Sequence, residues 1–164
     1  MNTKPSKQGT QEEPKLSKTA EILIDECHMI LPGIQALFGF QLIAVFNSTF
    51  GEKLTSLEQR LHLLAIVLIG VAIVIIMTPP AYHRQTGPQH VSERFIHLTT
   101  RLLLISMVPL SLSIGLDLYL ISRLILNDVF ASLLIALGLL ILFFLLWFVL
   151  PRWEALRELL GDKP

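Results

Sequence analysis

The sequence predicts an all-α integral membrane protein: a four-helix bundle with an N-terminal amphipathic helix and a short C-terminal interfacial helix. Hydrophobic residues make up 52% of the 164 residues, and the mean hydropathy is +0.63. Both values exceed those of an ordinary soluble domain. Four stretches also supply the roughly 20 apolar residues that a helix needs to cross a bilayer core. Composition and segment length therefore point to the same class.

The chain before the first span predicts two different elements. Residues 1–16 are polar and contain two prolines, a composition that predicts a disordered arm. Residues 17–160 then form a single membrane domain. It starts with an amphipathic helix over residues 17–30, where apolar residues recur at four-and-three spacing. Pro32 removes one backbone hydrogen bond, so we expect a kink there.

The four predicted spans cover residues 31–50, 61–82, 98–124 and 130–150. Two consecutive prolines, Pro79 and Pro80, are expected to end or distort the second span. A short interfacial helix over residues 151–160 follows the fourth span.

Capping signals mark where two of the spans begin. Thr55 with Glu58, and Ser56 with Gln59, both have capping-box spacing just before the second span. Asn127 and Asp128 are both placed to cap the fourth span. These signals predict helix starts close to the hydrophobic boundaries.

Charge distribution predicts the orientation in the membrane. With four spans, ten of the thirteen basic residues fall on the side that carries both termini, and three fall on the other side. The positive-inside rule then predicts a multi-pass membrane protein with both termini cytoplasmic. Expected partners are the lipid bilayer and either partner membrane subunits or further copies of the chain. The balance of thirteen acidic and thirteen basic residues predicts no nucleic-acid partner.

Asp117 lies within the third predicted span and is its most unusual residue. Arg101 and Arg123 bracket this span, about 33 Å apart along a helix. An unpaired charge at that depth is costly. We therefore expect Asp117 to face other helices and to pair with Arg60 or His62 from the second span, or otherwise to be protonated. A structural pair is the favoured interpretation, and a proton or cation relay is the alternative.

Gln35 and Gln41 complete the intramembrane polar candidates, which otherwise comprise Asp117, Arg60 and His62. Amides in a membrane span usually hydrogen-bond to a neighbouring helix. We expect that role here.

A second group of polar residues is predicted at the cytoplasmic surface. Arg94, His97 and Arg101 share one helix face by their three-and-four spacing. We expect Arg94 and Arg101 to pair with acids of the amphipathic helix. The full predicted cluster is Glu21, Asp25, Glu26, His28, Tyr82, His83, Arg84, Arg94, His97 and Arg101.

The motifs of common enzymes and metal sites are absent from the sequence. It contains no GxSxG, HExxH, P-loop or GxGxxG pattern, so we expect no catalytic residues and no enzyme activity. His28, His83 and His97 would be the ligands of a haem or metal site, but they lack tight ligand spacing. We therefore expect no metal and no cofactor, and keep this site as an alternative.

Three motifs together resemble an uncharacterised family of small bacterial four-span membrane proteins. They are "LPGIQALFGFQL" at 31–42, "EQRLHLL" at 58–64 and "PPAYHR" at 79–84. The family pattern is LPG-x-Q-x-LF, then QR-x-x-HL, then P-x-AYHR, and some members carry a sodium:proton antiporter label. The resemblance marks these positions as family-typical: Glu26, Pro32, Gly33, Gln35, Gln59, Arg60, Tyr82, His83, Arg84 and Arg101.

Three functions follow as hypotheses. The favoured one is a non-enzymatic accessory or scaffold subunit that packs against partner helices, because the fourth span is uniformly apolar. The first alternative is a small oligomeric proton- or cation-coupled transporter that uses Asp117. The second is a haem or metal binder at the cytoplasmic surface.

Overall fold

A computed structural model describes residues 9–86 and 92–153, with side chains for 16–48, 50–85 and 92–153. The helices are α1 (Gly9–Val45), α2 (Ser48–Lys53), α3 (Ser56–Thr86), α4 (Glu93–Leu126) and α5 (Val129–Phe144). The described residues contain no strand. Four segments are long and apolar enough to cross a membrane: Leu16–Val45, Ser56–Gln85, Glu93–Leu126 and Val129–Trp153. The predicted all-α class with four membrane-span-like helices is confirmed.

The first helix is longer than the sequence predicted. We expected a disordered arm to residue 16 and a separate amphipathic helix over 17–30, but α1 runs without a break from Gly9 to Val45. Residues 1–8 lie outside the described part of the chain. Pro32 does not end the helix, because a proline removes a single backbone bond and the remaining bonds of a long helix persist.

The prolines in the other long helices are accommodated in the same way. Helix α3 passes through Pro79 and Pro80, and α4 passes through Pro109. Just before Pro79 and Pro80, the Thr78 hydroxyl donates to the carbonyl of Val74 at 2.8 Å. Pro79 and Pro80 do not end the second span, since α3 continues to Thr86; a distortion of the helix, the other expected effect, stays a prediction.

Two helix starts follow the predicted capping chemistry. The Thr55 amide donates to Glu58 Oε2 at 2.9 Å, and the Glu58 amide donates to Thr55 Oγ1 at 3.3 Å, which closes the first capping box. Gln59 departs from the second predicted box, because its side-chain amide donates to the carbonyl of Leu54.

The turn between α4 and α5 takes only two residues. Asn127 adopts a left-handed conformation with φ of 52°, which asparagine tolerates better than most residues. The Asp128 carboxylate then accepts from the amides of Phe130 at 2.8 Å and Ala131 at 3.2 Å. The predicted cap of the fourth span is confirmed.

Helix α5 is followed by a π-helical turn that precedes Pro151. Leu145–Val149 is π-helical, and the Leu150 amide bonds to the carbonyl of Leu145, five residues back. Helical backbone continues through Pro151 to Trp153. The rest of the predicted interfacial helix, 154–160, lies outside the described residues.

The chain divides into two compact units. The first comprises Met1–Leu42 and Ile69–Pro109. Its buried residues include Cys27, Ile76, Pro79 and Thr99. The second comprises Ile43–Leu68 and Leu110–Pro164.

The interior of the second unit is built from small and polar side chains, such as Ala65, Ser113, Ser132 and Ala136. Small residues let helix backbones approach closely, which favours packing between apolar helices.

Candidate functional site

Asp117 of α4 lies beside His62 of α3 in the second unit. Asp117 Oδ1 is 3.5 Å from His62 Nδ1, and the two side chains are only 16% and 9% exposed. The sequence predicted Arg60 or His62 as the partner, and the structure confirms His62. Arg60 is exposed, so the histidine carries the contact.

Two further polar contacts join the same two helices. Together they form what we call the polar ladder: Arg123 with Glu58, Asp117 with His62, and Ser113 with the carbonyl of Ala65. Residues 58, 62 and 65 recur at four-and-three spacing, so they share one face of α3. Their partners occur in reverse order along α4, as antiparallel helices require.

Two contacts of the polar ladder are hydrogen bonds, a long one from Arg123 and a short one from Ser113. Arg123 Nε donates to Glu58 Oε1 at 3.3 Å, and Ser113 Oγ donates to the Ala65 carbonyl at 2.8 Å. This arrangement also explains why Arg123 does not pair with Asp117. Six residues along a helix place the two side chains on different faces, and Arg123 meets the acid of α3 instead.

Glu58 is the residue of this site that sequence reasoning missed. It was recognised only as part of a capping box, and the structure gives it a second role. One carboxylate oxygen, Oε2, accepts from the Thr55 amide and hydroxyl, while Oε1 accepts from Arg123. The signal was present in the four-residue spacing between Glu58 and His62.

Two apolar contacts hold the polar ladder in place. The ring of Phe50 meets the ring of His62 edge-on, with centroids 5.2 Å apart. Gly115 of α4 faces Leu140 of α5 so closely that a Cβ there would lie 2.9 Å from the leucine Cγ and Cδ2. Helix α5 therefore approaches α4 closely at Gly115.

The first unit contains a cleft of about 470 Å³ between α1 and α3. Its lining residues are Glu21, Ile24, Asp25, His28, Pro80, His83 and Arg84. Five of the residues predicted for the cytoplasmic polar cluster are thus brought together. The lining residues of each helix are three or four positions apart, so each helix presents one face to the cleft.

The cluster differs from the prediction in its arginines. Arg94, His97 and Arg101 are exposed, whereas Phe95 and Thr99 of the same helix are buried. Within residues 9–86 and 92–153, no ion pair joins Arg94 or Arg101 to an acid. The predicted pairing is wrong because the inward face of α4 is the one that carries Phe95 and Thr99.

Of the other predicted site residues, some are exposed and others are buried. Tyr82 stacks on Phe95 with centroids 5.9 Å apart and remains partly exposed. Glu26 and Gln35 are exposed, whereas Gln41 is buried. Of the two amides, only Gln41 occupies the interior position predicted for it.

The histidines do not assemble a metal site. His28 and His83 both line the cleft, but His97 is not among its lining residues. Among the residues that the structure describes, no three His, Cys, Asp or Glu side chains are grouped so that they would hold a metal ion. The geometry therefore gives no support to the haem or metal alternative.

Comparison with known protein families identifies the chain at the family level. A model of the family of unknown function DUF6328 matches residues 9–151. The chain belongs to this family. The DUF6328 match extends from the start of α1 to Pro151, so it includes every residue of the cleft and of the polar ladder. The expectation that the chain belongs to an uncharacterised family is confirmed.

No curated protein and no solved structure matches the chain. Membership of DUF6328 therefore brings no activity with it, and the function has to be argued from the geometry.

Proposed function

We propose that this protein is a non-enzymatic membrane subunit that packs against partner helices through the outward face of α5. One observation carries the proposal. In an 18-residue apolar window of Val129–Trp153 only 6% of residues are buried, compared with 11% for Leu16–Val45, 28% for Ser56–Gln85 and 22% for Glu93–Leu126. The fourth helix thus buries little of its surface against the other helices of its own chain.

The inward contacts of α5 form a narrow stripe. Ser132 and Ala136 are buried, and Leu140 touches Gly115. These three positions of α5 are four residues apart and define one face. The other faces present large apolar side chains: Phe130, Leu133, Leu134, Ile135, Leu137, Ile141, Leu142 and Phe144. Such a surface suits a lipid or another apolar helix, and we propose the helix.

The polar ladder supports a structural role for the charged residues of α3 and α4. Asp117 is engaged by His62, and Glu58 by Arg123. In an apolar surrounding, an acid and a base that meet across two helices fix the register of those helices, because any slip leaves both groups without a partner. This is the behaviour expected of a rigid scaffold.

The proposed setting is the bacterial inner membrane, with both termini in the cytoplasm. Its support is the distribution of basic residues, ten of which share a side with the termini in a four-span arrangement. Reporter fusions at residues 1 and 164 would test it. Activity of a cytoplasm-dependent reporter at both ends is expected, and opposite results at the two ends would refute the topology.

Photocrosslinking in native membranes tests the packing role. A photoreactive phenylalanine analogue replaces Leu134 or Ile141, which are exposed and seven residues apart on one face of α5. Val67, exposed on α3, is the matched control. We expect a discrete protein adduct from both α5 positions and none from Val67.

Two results would contradict the packing role. One is labelling of lipid alone from both α5 positions. The other is the same protein adducts from Val67 as from α5, which would indicate random collision in the membrane. Co-expression of two differently tagged copies distinguishes a second copy of the chain from a different subunit.

The second candidate, a proton- or cation-coupled transporter, has one observation in its favour. Asp117 and His62 are two titratable groups 3.5 Å apart within membrane-span-like helices, and such groups often serve ion pathways. In proteoliposomes, Asp117→Asn should then abolish proton-driven flux while Glu52→Gln, an exposed change in α2, leaves it intact. Flux that is absent from the unmodified protein, or equal in both variants, rejects this candidate.

A further inference from the structure

The cleft between α1 and α3 has oppositely charged walls that do not touch each other. Glu21 and Asp25 contribute carboxylates from α1, and His83 and Arg84 contribute basic groups from α3. In the described part of the chain, no ion pair within 4.0 Å joins these acids to these bases. Opposite charges that face each other across an open space can both be satisfied by a ligand that carries both signs.

The size of the cleft suits a small organic ligand rather than a single ion. Its volume is about 470 Å³, within the roughly 300–1,000 Å³ of typical small-molecule sites and far above the roughly 30 Å³ of one water. Ile24 and Pro80 supply apolar surface beside the charged groups. The ring of His83 also contacts Phe95, with centroids 5.5 Å apart, which restrains one basic wall.

The position of the cleft points to a lipid as the source of that ligand. Its α3 residues lie at the end of a membrane-span-like helix, Ser56–Gln85, where headgroups are expected. Ile22 and Met29, which flank the acidic wall along α1, are exposed apolar residues against which acyl chains would pack.

We propose that this cleft binds the headgroup of a zwitterionic phospholipid with a primary ammonium group, of the phosphatidylethanolamine type. The phosphate lies against Arg84 and His83, and the ammonium donates to the carboxylates of Glu21 and Asp25. A phosphatidylglycerol headgroup offers the same phosphate to Arg84 and His83, but its neutral glycerol carries no cation for the two carboxylates. A choline headgroup has the right charges but no N–H to donate.

The test measures which lipid stays bound to the purified full-length protein. Native mass spectrometry after incubation with equimolar phosphatidylethanolamine, phosphatidylcholine and phosphatidylglycerol of identical acyl chains gives the retained ratio. We expect a preference for phosphatidylethanolamine of about two- to fivefold, the range of exposed charge pairs. Free phosphoethanolamine should displace the bound lipid more effectively than inorganic phosphate does.

Matched variants assign the preference to the cleft. Asp25→Asn should remove most of it, whereas Glu26→Gln, an exposed neighbour outside the cleft, should keep it. The double variant Glu21→Gln with Asp25→Asn should shift the preference towards phosphatidylglycerol, because the basic wall then acts alone. Arg84→Gln should lower retention of all three phospholipids, because each carries a phosphate, while Arg94→Gln should not. Circular dichroism melting confirms that each variant is folded.

Three outcomes would overturn the proposal. In the first, the unmodified protein retains the three lipids equally. In the second, Asp25→Asn shows the same lipid preference as Glu26→Gln. In the third, inorganic phosphate displaces the lipid as well as phosphoethanolamine does. The last would show that the ammonium group is not recognised. None of these measurements involves α5, so failure here leaves the packing role untouched, and the reverse also holds.

Discussion

Replacing both Asp117 and His62 should destabilise the protein less than the sum of the two single replacements. At 3.5 Å, an ionised Asp117 would attract a protonated His62 by at most about 5 kcal/mol at an effective dielectric constant of 20, and a neutral His62 would contribute no charge attraction. Desolvation of two nearly buried groups offsets most of that. We therefore expect Asp117→Leu and His62→Leu each to lower the free energy of unfolding by about 1–2 kcal/mol, because the remaining partner is left unsatisfied.

The double variant should be no less stable than either single variant, since two apolar side chains replace the whole pair. The coupling energy would then be about 1–2 kcal/mol, at the upper end of polar contacts between membrane helices. Unfolding in mixed micelles with rising dodecyl sulfate, followed by helical circular dichroism and by fluorescence of the two tryptophans, gives the four free energies of the cycle.

The control cycle replaces the other sequence-predicted partner. Arg60 is exposed, so Arg60→Leu and Asp117→Leu should be additive within about 0.5 kcal/mol. Additivity of the His62 and Asp117 changes within the same limit would refute the reasoning, because it would show that their contact contributes no energy. Coupling to Arg60 instead would show that the pairing is wrong.

Three further changes test the packing around this site by the same unfolding assay. Gly115→Ala places a Cβ 2.9 Å from Leu140 and should cost about 1–3 kcal/mol, whereas Gly138→Ala, with nothing within 4 Å, should have little effect; equal losses would contradict the close approach. Glu58→Gln weakens a carboxylate that accepts three hydrogen bonds and should cost about 1–3 kcal/mol; unchanged stability would argue against its dual role. Asp128→Ala removes the cap of α5 and should cost about 1 kcal/mol, while the same loss from Asp128→Asn would show that the charge, not the hydrogen bonds, matters.

The sequence determined the features that depend on neighbours along the chain. Hydrophobic length alone predicted four spans, and the capping chemistry of Thr55 and Asp128 predicted two helix starts. The need to neutralise Asp117 also followed from its apolar surroundings. Local composition and helical periodicity are sufficient for these conclusions, because each involves residues within a few turns of one helix.

Only the tertiary structure decided which side chains meet. The sequence predicted Arg60 and His62 equally as partners of Asp117. The rotation of α3 about its axis places His62 next to Asp117. The sequence also predicted that Arg94 pairs with the acids of α1. In the structure α4 buries Phe95 instead, and the arginine that lines the cleft is Arg84. The rotation of a helix about its axis is set by packing against its neighbours, at positions far apart in sequence, so helical periodicity defines the faces of a helix without saying which one points inward.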